Sequence, residues 1–261
     1  MTLIDTHCHL AHGRLRQDAA GVLDRARAAG VAAVVCAGAD LHESKLALTL
    51  ARQFEQVYFT AGVHPHDAKD AEEGYLDRIA ELAAEARNVA VGEIGLDYHY
   101  DYSPRDVQRR VFAEQLELAR TLDKPVVVHT REAFADTMRI LKDSGIDGGR
   151  VVFHSFTEGP DRGREVLDFG AMISFSGIVT FAKSDLLRQT ASLVPDDRIL
   201  VETDAPFLSP EPVRKMKTNE PANVAHVAAC LARLRGLDPD AFARLTTANA
   251  ARFFTLDIAG D

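Results

Sequence analysis

The sequence predicts an α/β fold of the (β/α)8 TIM-barrel type, with residues 1–261 as a single domain. Three observations predict it. Short apolar runs recur eight times along the chain, amphipathic segments lie between them, and side chains able to do chemistry fall where the runs end. The runs are continuous and mostly β-branched rather than alternating, as expected of strands buried on both faces.

Leu3-Ile4 opens the first strand. Leu15, Val22, Leu23 and Ala26 then form a helical stripe, closed by Gly30 as a C-terminal cap. The next runs are Val31–Cys36, Val57–Val63, and Val89–Val91 reaching Ile94. Ser103, Pro104 and Asp106 read as a helix start, with proline at the first helical position and an acid in the first turn. Val107, Val111, Leu118 and Leu122 continue that helix. The remaining strands are Val126–Val128, Val151–Phe153, Ala171–Phe175 and Ile199–Val201. A doubly wound open sheet is the competing arrangement. It would normally carry a glycine-rich phosphate loop after the first strand, where this chain reads DTHCHLAHG.

The composition, 46% hydrophobic and 26% charged, is that of an ordinary globular protein. A chain this long buries enough surface to need no disulfide framework. Its three cysteines, Cys8, Cys36 and Cys230, are few and far apart, which points to a reducing compartment. The N-terminus lacks a basic region followed by a long apolar run, and no stretch reaches the roughly 18 apolar residues of a spanning helix. A cytoplasmic protein with no membrane association and no obligate protein partner is expected. The net charge of −9 argues against coating nucleic acid through a broad basic surface. A local grip on phosphate by metal and a few arginines stays compatible with it.

In a barrel the chemistry sits at the C-terminal ends of the strands. There the sequence places Asp5, His7 and His9, then His64, Glu93, His129, His154, and finally Glu202 and Asp204. Each residue has an ordinary reading: a buried acid paired with arginine, a core histidine, a turn cap. Together those readings would fill an apolar mouth with imidazoles and carboxylates that nothing neutralises. His7 and His9, two apart on a strand, point the same way and can bind one ion together. Four histidines and two carboxylates exceed one ion's needs. The set divides into His7, His9 and Asp204 on one ion and His129 and His154 on another, with Glu93 between. Paired ions about 3.5–4 Å apart stabilise both oxygens of an in-line displacement and activate a bridging water. Cys8 faces away and reads as packing. His64 is either a contact to substrate phosphate or a turn residue held by Pro65. Arg131 is positioned to meet phosphate or an acid, and Glu202 to orient a metal-bound imidazole. Arg214, Lys215 and Lys217 are a solvated loop or a local phosphate grip. Asp97 and Tyr98 read as structural.

The motifs DTHCHL, GVHPHD, GEIGLDY, PVVVHTR, HSF, ETDAPFL and NEPANV, in this order, resemble the TatD-like metal-dependent deoxyribonucleases of the amidohydrolase superfamily. The resemblance runs from Asp5 to Asn249–Phe254. It implies a TIM-type barrel, two divalent ions and hydrolysis of DNA phosphodiesters, often as a 3′→5′ exonuclease on single strands. The family's ligand positions map onto His7, His9, Glu93, His129, His154 and Asp204. Ser155-Phe156-Thr157-Glu158-Gly159 departs from the family's usual Cys-Phe-Thr/Ser-Gly by an extra acid. The expected activity is two-metal cleavage of single-stranded DNA, with Glu93 and Asp204 catalytic, Asp204 as general base, and zinc, manganese or magnesium as the ions. Alternatives are a metal-dependent amide or ester hydrolase, such as a deacylase on aminoacyl-tRNA, and a non-catalytic metal-binding barrel.

Overall fold

A computed structural model describes residues 2–258. Eight strands alternate with helices along the chain: β1 (Leu3–Cys8), β2 (Val31–Cys36), β3 (Val57–Ala61), β4 (Asn88–Asp97), β5 (Val126–Arg131), β6 (Val151–Phe153), β7 (Met172–Phe175) and β8 (Ile199–Val201). Each of the eight apolar runs seeds one of them. No helix among the described residues is long and apolar enough to cross a membrane. The chain divides into two compact units. One comprises residues 2–36, 154–168 and 172–258, the other 37–153 and 169–171.

In the first unit β1 pairs in parallel with β2, and β7 with β8. The loop after β8 closes onto the end of β1. Asp204 donates its N–H to the His7 carbonyl (2.9 Å), and His9 donates to the Ala205 carbonyl (2.6 Å). The expected helical stripe after β1 is buried at Leu15, Val22, Leu23 and Ala26, but over two helices, Gly13–Arg16 and Ala19–Ala28. Gly30 follows with φ +86 and donates to the Arg27 carbonyl, closing the second helix as its composition implies.

In the second unit β3, β4, β5 and β6 pair in parallel in that order. Three details differ from the expectations. The third strand stops at Ala61 rather than Val63, because the Gln115 side chain takes both Val63 backbone groups: it accepts from the N–H (2.7 Å) and donates to the carbonyl (3.0 Å). The fourth strand runs on to Asp97, so Glu93 lies inside it rather than at its end. The β4–β5 register shifts between Val91 and Ile94, a bulge that carries Glu93. The helix after it spans Arg105–Thr121 with Pro104 outside as its cap position, and Ser103 makes no cap bond to it. Ser103 instead donates its hydroxyl to the His66 carbonyl (2.7 Å) and accepts from the Lys69 N–H (3.0 Å). The helix buries Gln108, Val111, Phe112, Gln115, Leu116 and Ala119; of the expected stripe Val111 is buried, while Val107, Leu118 and Leu122 are half-buried. Two glutamines belong to the buried face because they hydrogen-bond backbone there, which satisfies their amides out of water.

Candidate metal centre

In the first unit, the last turn of β1 and the loop after β8 bring three donors together. His7 Nε2 and His9 Nε2 lie 3.4 Å apart, and Asp204 Oδ1 is 3.9 Å from the first and 3.4 Å from the second. These atoms meet the distance expected of ligands to one ion. His7 also stacks on His154, with ring centroids 4.0 Å apart. The i, i+2 alternation of a strand aims both imidazoles the same way. It turns Cys8 into the core, where burial and then Asp5 push its thiol up, away from thiolate. Burial alone would raise the Asp204 carboxyl, but His9, His154 and His7 outweigh it and hold it below the usual carboxylate range.

Asp204 adopts φ +55, a left-handed conformation that aspartate accepts more readily than most side chains. Neighbours brace it there. Buried Asp5 accepts the Thr203 N–H (2.9 Å) and the Thr203 hydroxyl (2.5 Å), and burial keeps its own pKa raised. Asn219, of the NEPANV segment, donates to the carbonyls of Thr203 (3.0 Å) and Phe207 (2.7 Å). Asn219 and the bracing role of Asp5 are not visible in the sequence alone; for Asn219 the available signal is a polar residue just ahead of a proline.

His154, just past β6, presents Nδ1 to Glu202 Oε1 at 3.3 Å, and Glu202 also accepts the Ser155 N–H (2.8 Å). Glu202 is fully buried, and its second oxygen has no hydrogen-bond partner among the described residues. With Nδ1 held by a carboxylate, His154 keeps Nε2 for a cation, the usual arrangement of a metal-binding histidine. The extra acid of the HSF segment, Glu158, is paired with Arg162 (2.6 Å).

In the second unit, Glu93, His64 and His129 converge, again at distances that suit one ion. Glu93 Oε1 is 2.9 Å from His129 Nδ1 and 3.3 Å from His64 Nε2. His64 Nδ1 accepts the His66 N–H (3.1 Å), so its proton sits on Nε2, facing Glu93. Burial lowers its pKa to about 4, which keeps the ring neutral. His64 therefore meets Glu93 as a hydrogen-bond donor. The other nitrogen of His129 faces Asp97 Oδ2 at 3.1 Å. Burial would raise Asp97, but hydrogen bonds from His129, His66 and the Tyr100 N–H outweigh it and hold the carboxyl well below its usual range. Asp97 thus stands to His129 as Glu202 stands to His154. In the sequence alone Asp97 reads as structural, since one aspartate after Gly-Leu looks like a turn residue. Arg131, at the end of β5, lies 4.8 Å over the Tyr100 ring and has no ion pair among the described residues. Arg214 lies over the Phe181 ring (3.5 Å), and Lys215 and Lys217 lie beside it in the same loop.

Imidazoles and carboxylates converging in this way fit divalent ions, with imidazole-rich ligation favouring zinc, manganese or iron and a phosphate able to complete a magnesium site. His7, His9 and Asp204 in the first unit, and Glu93 and His129 in the second, are the donors that would hold such ions.

Comparison with known proteins identifies the family. The model of the TatD-related DNase family matches residues 4–255. The chain is 38% identical to an uncharacterized metal-dependent hydrolase, YabD of Bacillus subtilis, covering 98% of this chain and 100% of that protein. It is 38% identical to the 3′-5′ ssDNA/RNA exonuclease TatD of Cronobacter sakazakii, covering 97% of each. Among solved structures, the TatD homolog YJJV of Escherichia coli superposes with a TM-score of 0.92 at 28% identity over 98% of both chains, which establishes the eight-stranded α/β barrel as the fold class. The chain belongs to the TatD-related DNase family of hydrolases.

Proposed function

We propose that the protein hydrolyses phosphodiester bonds of single-stranded DNA from the 3′ end, with two divalent ions, zinc, manganese or magnesium, held by His7, His9, Glu93, His129, His154 and Asp204. The observation that carries this reading is the convergence of His7, His9 and Asp204 on one point, with the carboxylate–histidine pair Glu202–His154 in the same unit. The named activity of the Cronobacter relative supports the choice of substrate.

Bound divalent ions would supply Lewis-acid charge to the phosphate in the transition state. The protein's own groups do the rest. Asp204 accepts the proton of the attacking water on its carboxylate, and Glu202 keeps His154 in one tautomer. Asp97 does the same for His129. Arg131 meets the phosphate oxygens as a full charge, and His64 turns its one Nε2–H from Glu93 to phosphate when substrate binds. The reading extends to residues 1–261 acting as one domain in the cytoplasm without an obligate protein partner; among the described residues the cysteines form no disulfide.

The test is a substrate panel of single-stranded DNA, duplex DNA, RNA and acyl esters, run with added divalent metal on wild type and Glu93→Gln. We expect single-stranded DNA to be cut and the glutamine variant to lose at least about a hundredfold in kcat while keeping its fold. Full activity in Glu93→Gln removes the ligand assignment. Turnover confined to acyl substrates removes the phosphodiester assignment.

A further inference from the structure

Most large apolar side chains of this protein are covered. Among the described residues five are exposed, and two of these, Tyr100 (45%) and Tyr102 (56%), lie side by side just beyond β4. Their rings are stacked, with centroids 5.2 Å apart and planes 19° from parallel. The contrast with Tyr98 is informative. Tyr98 donates its hydroxyl to Asp136 (2.7 Å), accepts from Arg109 (3.2 Å) and lies under the Arg105 guanidinium. It is a structural tyrosine, tied at both ends. The hydroxyls of Tyr100 and Tyr102 have no hydrogen bond among the described residues, and the rings remain about half exposed.

The pair is also held rigidly. Asp97 Oδ1 accepts the N–H groups of His99 (3.0 Å) and Tyr100 (2.9 Å). Gln108 clamps the Asp97 backbone and the Ser103 carbonyl. His66 packs edge-on against both tyrosines, at 5.4 and 4.8 Å, and reaches Asp97 Oδ2 at 3.0 Å, the oxygen that also faces His129. The platform is therefore linked through two side chains, His66 and Asp97, to the candidate ligand His129. Its charges are arranged for an anion. Asp101 is taken by Arg105 (2.7 Å) and Glu132 by His99 (2.7 Å), while Arg131 stands over Tyr100 without a carboxylate partner among the described residues.

We propose that Tyr100 and Tyr102 form a base-stacking subsite of the metal centre, which takes an unpaired base of single-stranded nucleic acid while Arg131 meets the adjoining phosphate. Rigid, exposed, parallel aromatic rings beside an unpaired arginine are what sequence-tolerant recognition of single strands uses, because every base offers a π face. A paired base in a duplex has both faces occupied by its neighbours and gains nothing there. The inference rests on the nucleic-acid reading above and explains why that reading favours single strands.

The experiment measures fluorescence anisotropy of labelled ten-nucleotide oligothymidine, and of a ten-unit abasic strand with the same phosphates, in EDTA so that no cleavage occurs. Wild type, Tyr102→Leu, Tyr102→Phe and the Tyr100→Leu/Tyr102→Leu double variant are compared, with melting curves to show that each folds. Stacking energies of single bases correspond to roughly 5–150-fold in affinity. We expect the double variant to weaken oligothymidine binding at least tenfold and to leave abasic binding unchanged, with Tyr102→Leu intermediate and Tyr102→Phe like wild type. Equal affinities of wild type and double variant for oligothymidine, or an equal loss on both strands, overturn the stacking subsite alone. A wild type that binds neither strand also overturns the subsite, because stacking and the Arg131 contact need no metal, while the nucleic-acid reading itself stands or falls with the metal-loaded substrate panel.

Discussion

Replacing Glu202 by glutamine separates what a buried carboxylate does for the fold from what it does for a metal. Glu202 is fully buried, with one oxygen shared by the Ser155 N–H and His154 Nδ1 and the other without a partner among the described residues. In the metal-free protein its charge is poorly compensated, and a neutral amide of the same shape removes a desolvation cost. The amide oxygen of the substituted side chain can still accept the Ser155 N–H. The metal-free variant should therefore melt no lower than wild type.

The metal-bound state should respond in the opposite direction. A carboxylate on Nδ1 orients the imidazole and raises its basicity, and losing such a partner typically weakens metal affinity about 10–100-fold. That is roughly 1.4–2.7 kcal/mol. An ion that binds only the folded chain stabilises it by about 4 kcal/mol at a thousandfold excess over Kd, so the variant forfeits one- to two-thirds of that gain. At about 2–4 °C per kcal/mol for a chain of this size, the metal-induced rise in Tm should shrink by roughly 3–11 °C. Calorimetric titration with zinc or manganese gives the affinity, and scanning calorimetry with and without metal gives the two melting temperatures. Equal metal-induced shifts in wild type and Glu202→Gln would refute the reasoning, since His154 would then not depend on its carboxylate.

Three further outcomes follow from the second unit. Asp97→Asn keeps an oxygen for the N–H groups of His99 and Tyr100 but puts an amide against His129 and His66; metal affinity by titration should fall about 10–100-fold while the fold survives. Gln115→Met conserves volume but strands the buried N–H and carbonyl of Val63, and urea denaturation should show a loss of about 2–5 kcal/mol; a loss below about 1 kcal/mol would mean that other groups satisfy them. Gly95 has φ +145, and a Cβ there would run into the His129 carbonyl. Gly95→Ala should cost at least about 3 kcal/mol and weaken metal binding by moving His129, both read from the same denaturation and titration series.

The strands are legible because nothing competes with a β-branched run between helical segments: Val126–Val128 and Val151–Phe153 carry no polar residue to obscure them, and they form β5 and β6. Legibility fails where a polar side chain does a backbone's work. Gln108 and Gln115 mimic strand partners for Asp97 and Val63, so the buried face of the Arg105–Thr121 helix includes amides, and of the expected apolar stripe only Val111 is fully buried. The same cause hides the length of β4, whose later half contains Glu93 and Asp97 beside two glycines. At the candidate centre, residue type and strand spacing are enough to single out His7, His9 and Asp204, because i, i+2 geometry and a β8 end leave few other placements. The supporting groups are of another kind. Asp97, Asp5 and Asn219 act by hydrogen bonds across 32, 198 and 16 residues of sequence, and no local pattern encodes a partner at such a distance.

The two carboxylate–histidine pairs make a stronger argument than either alone. Glu202 follows β8 and serves His154 after β6; Asp97 ends β4 and serves His129 within β5. Each pair spends a buried carboxylate on an imidazole nitrogen that a merely structural histidine could have satisfied with a backbone carbonyl at lower desolvation cost. A protein that only packed its interior would gain by replacing Glu202, whose second oxygen has no partner among the described residues, with a neutral group. Its presence is understandable where a cation on the opposite ring nitrogen recovers the cost. This is why loss of Glu202 should be nearly silent in the metal-free fold and visible once metal is bound, whereas Asp97, held well below its usual range by its hydrogen bonds, also stabilises the metal-free fold.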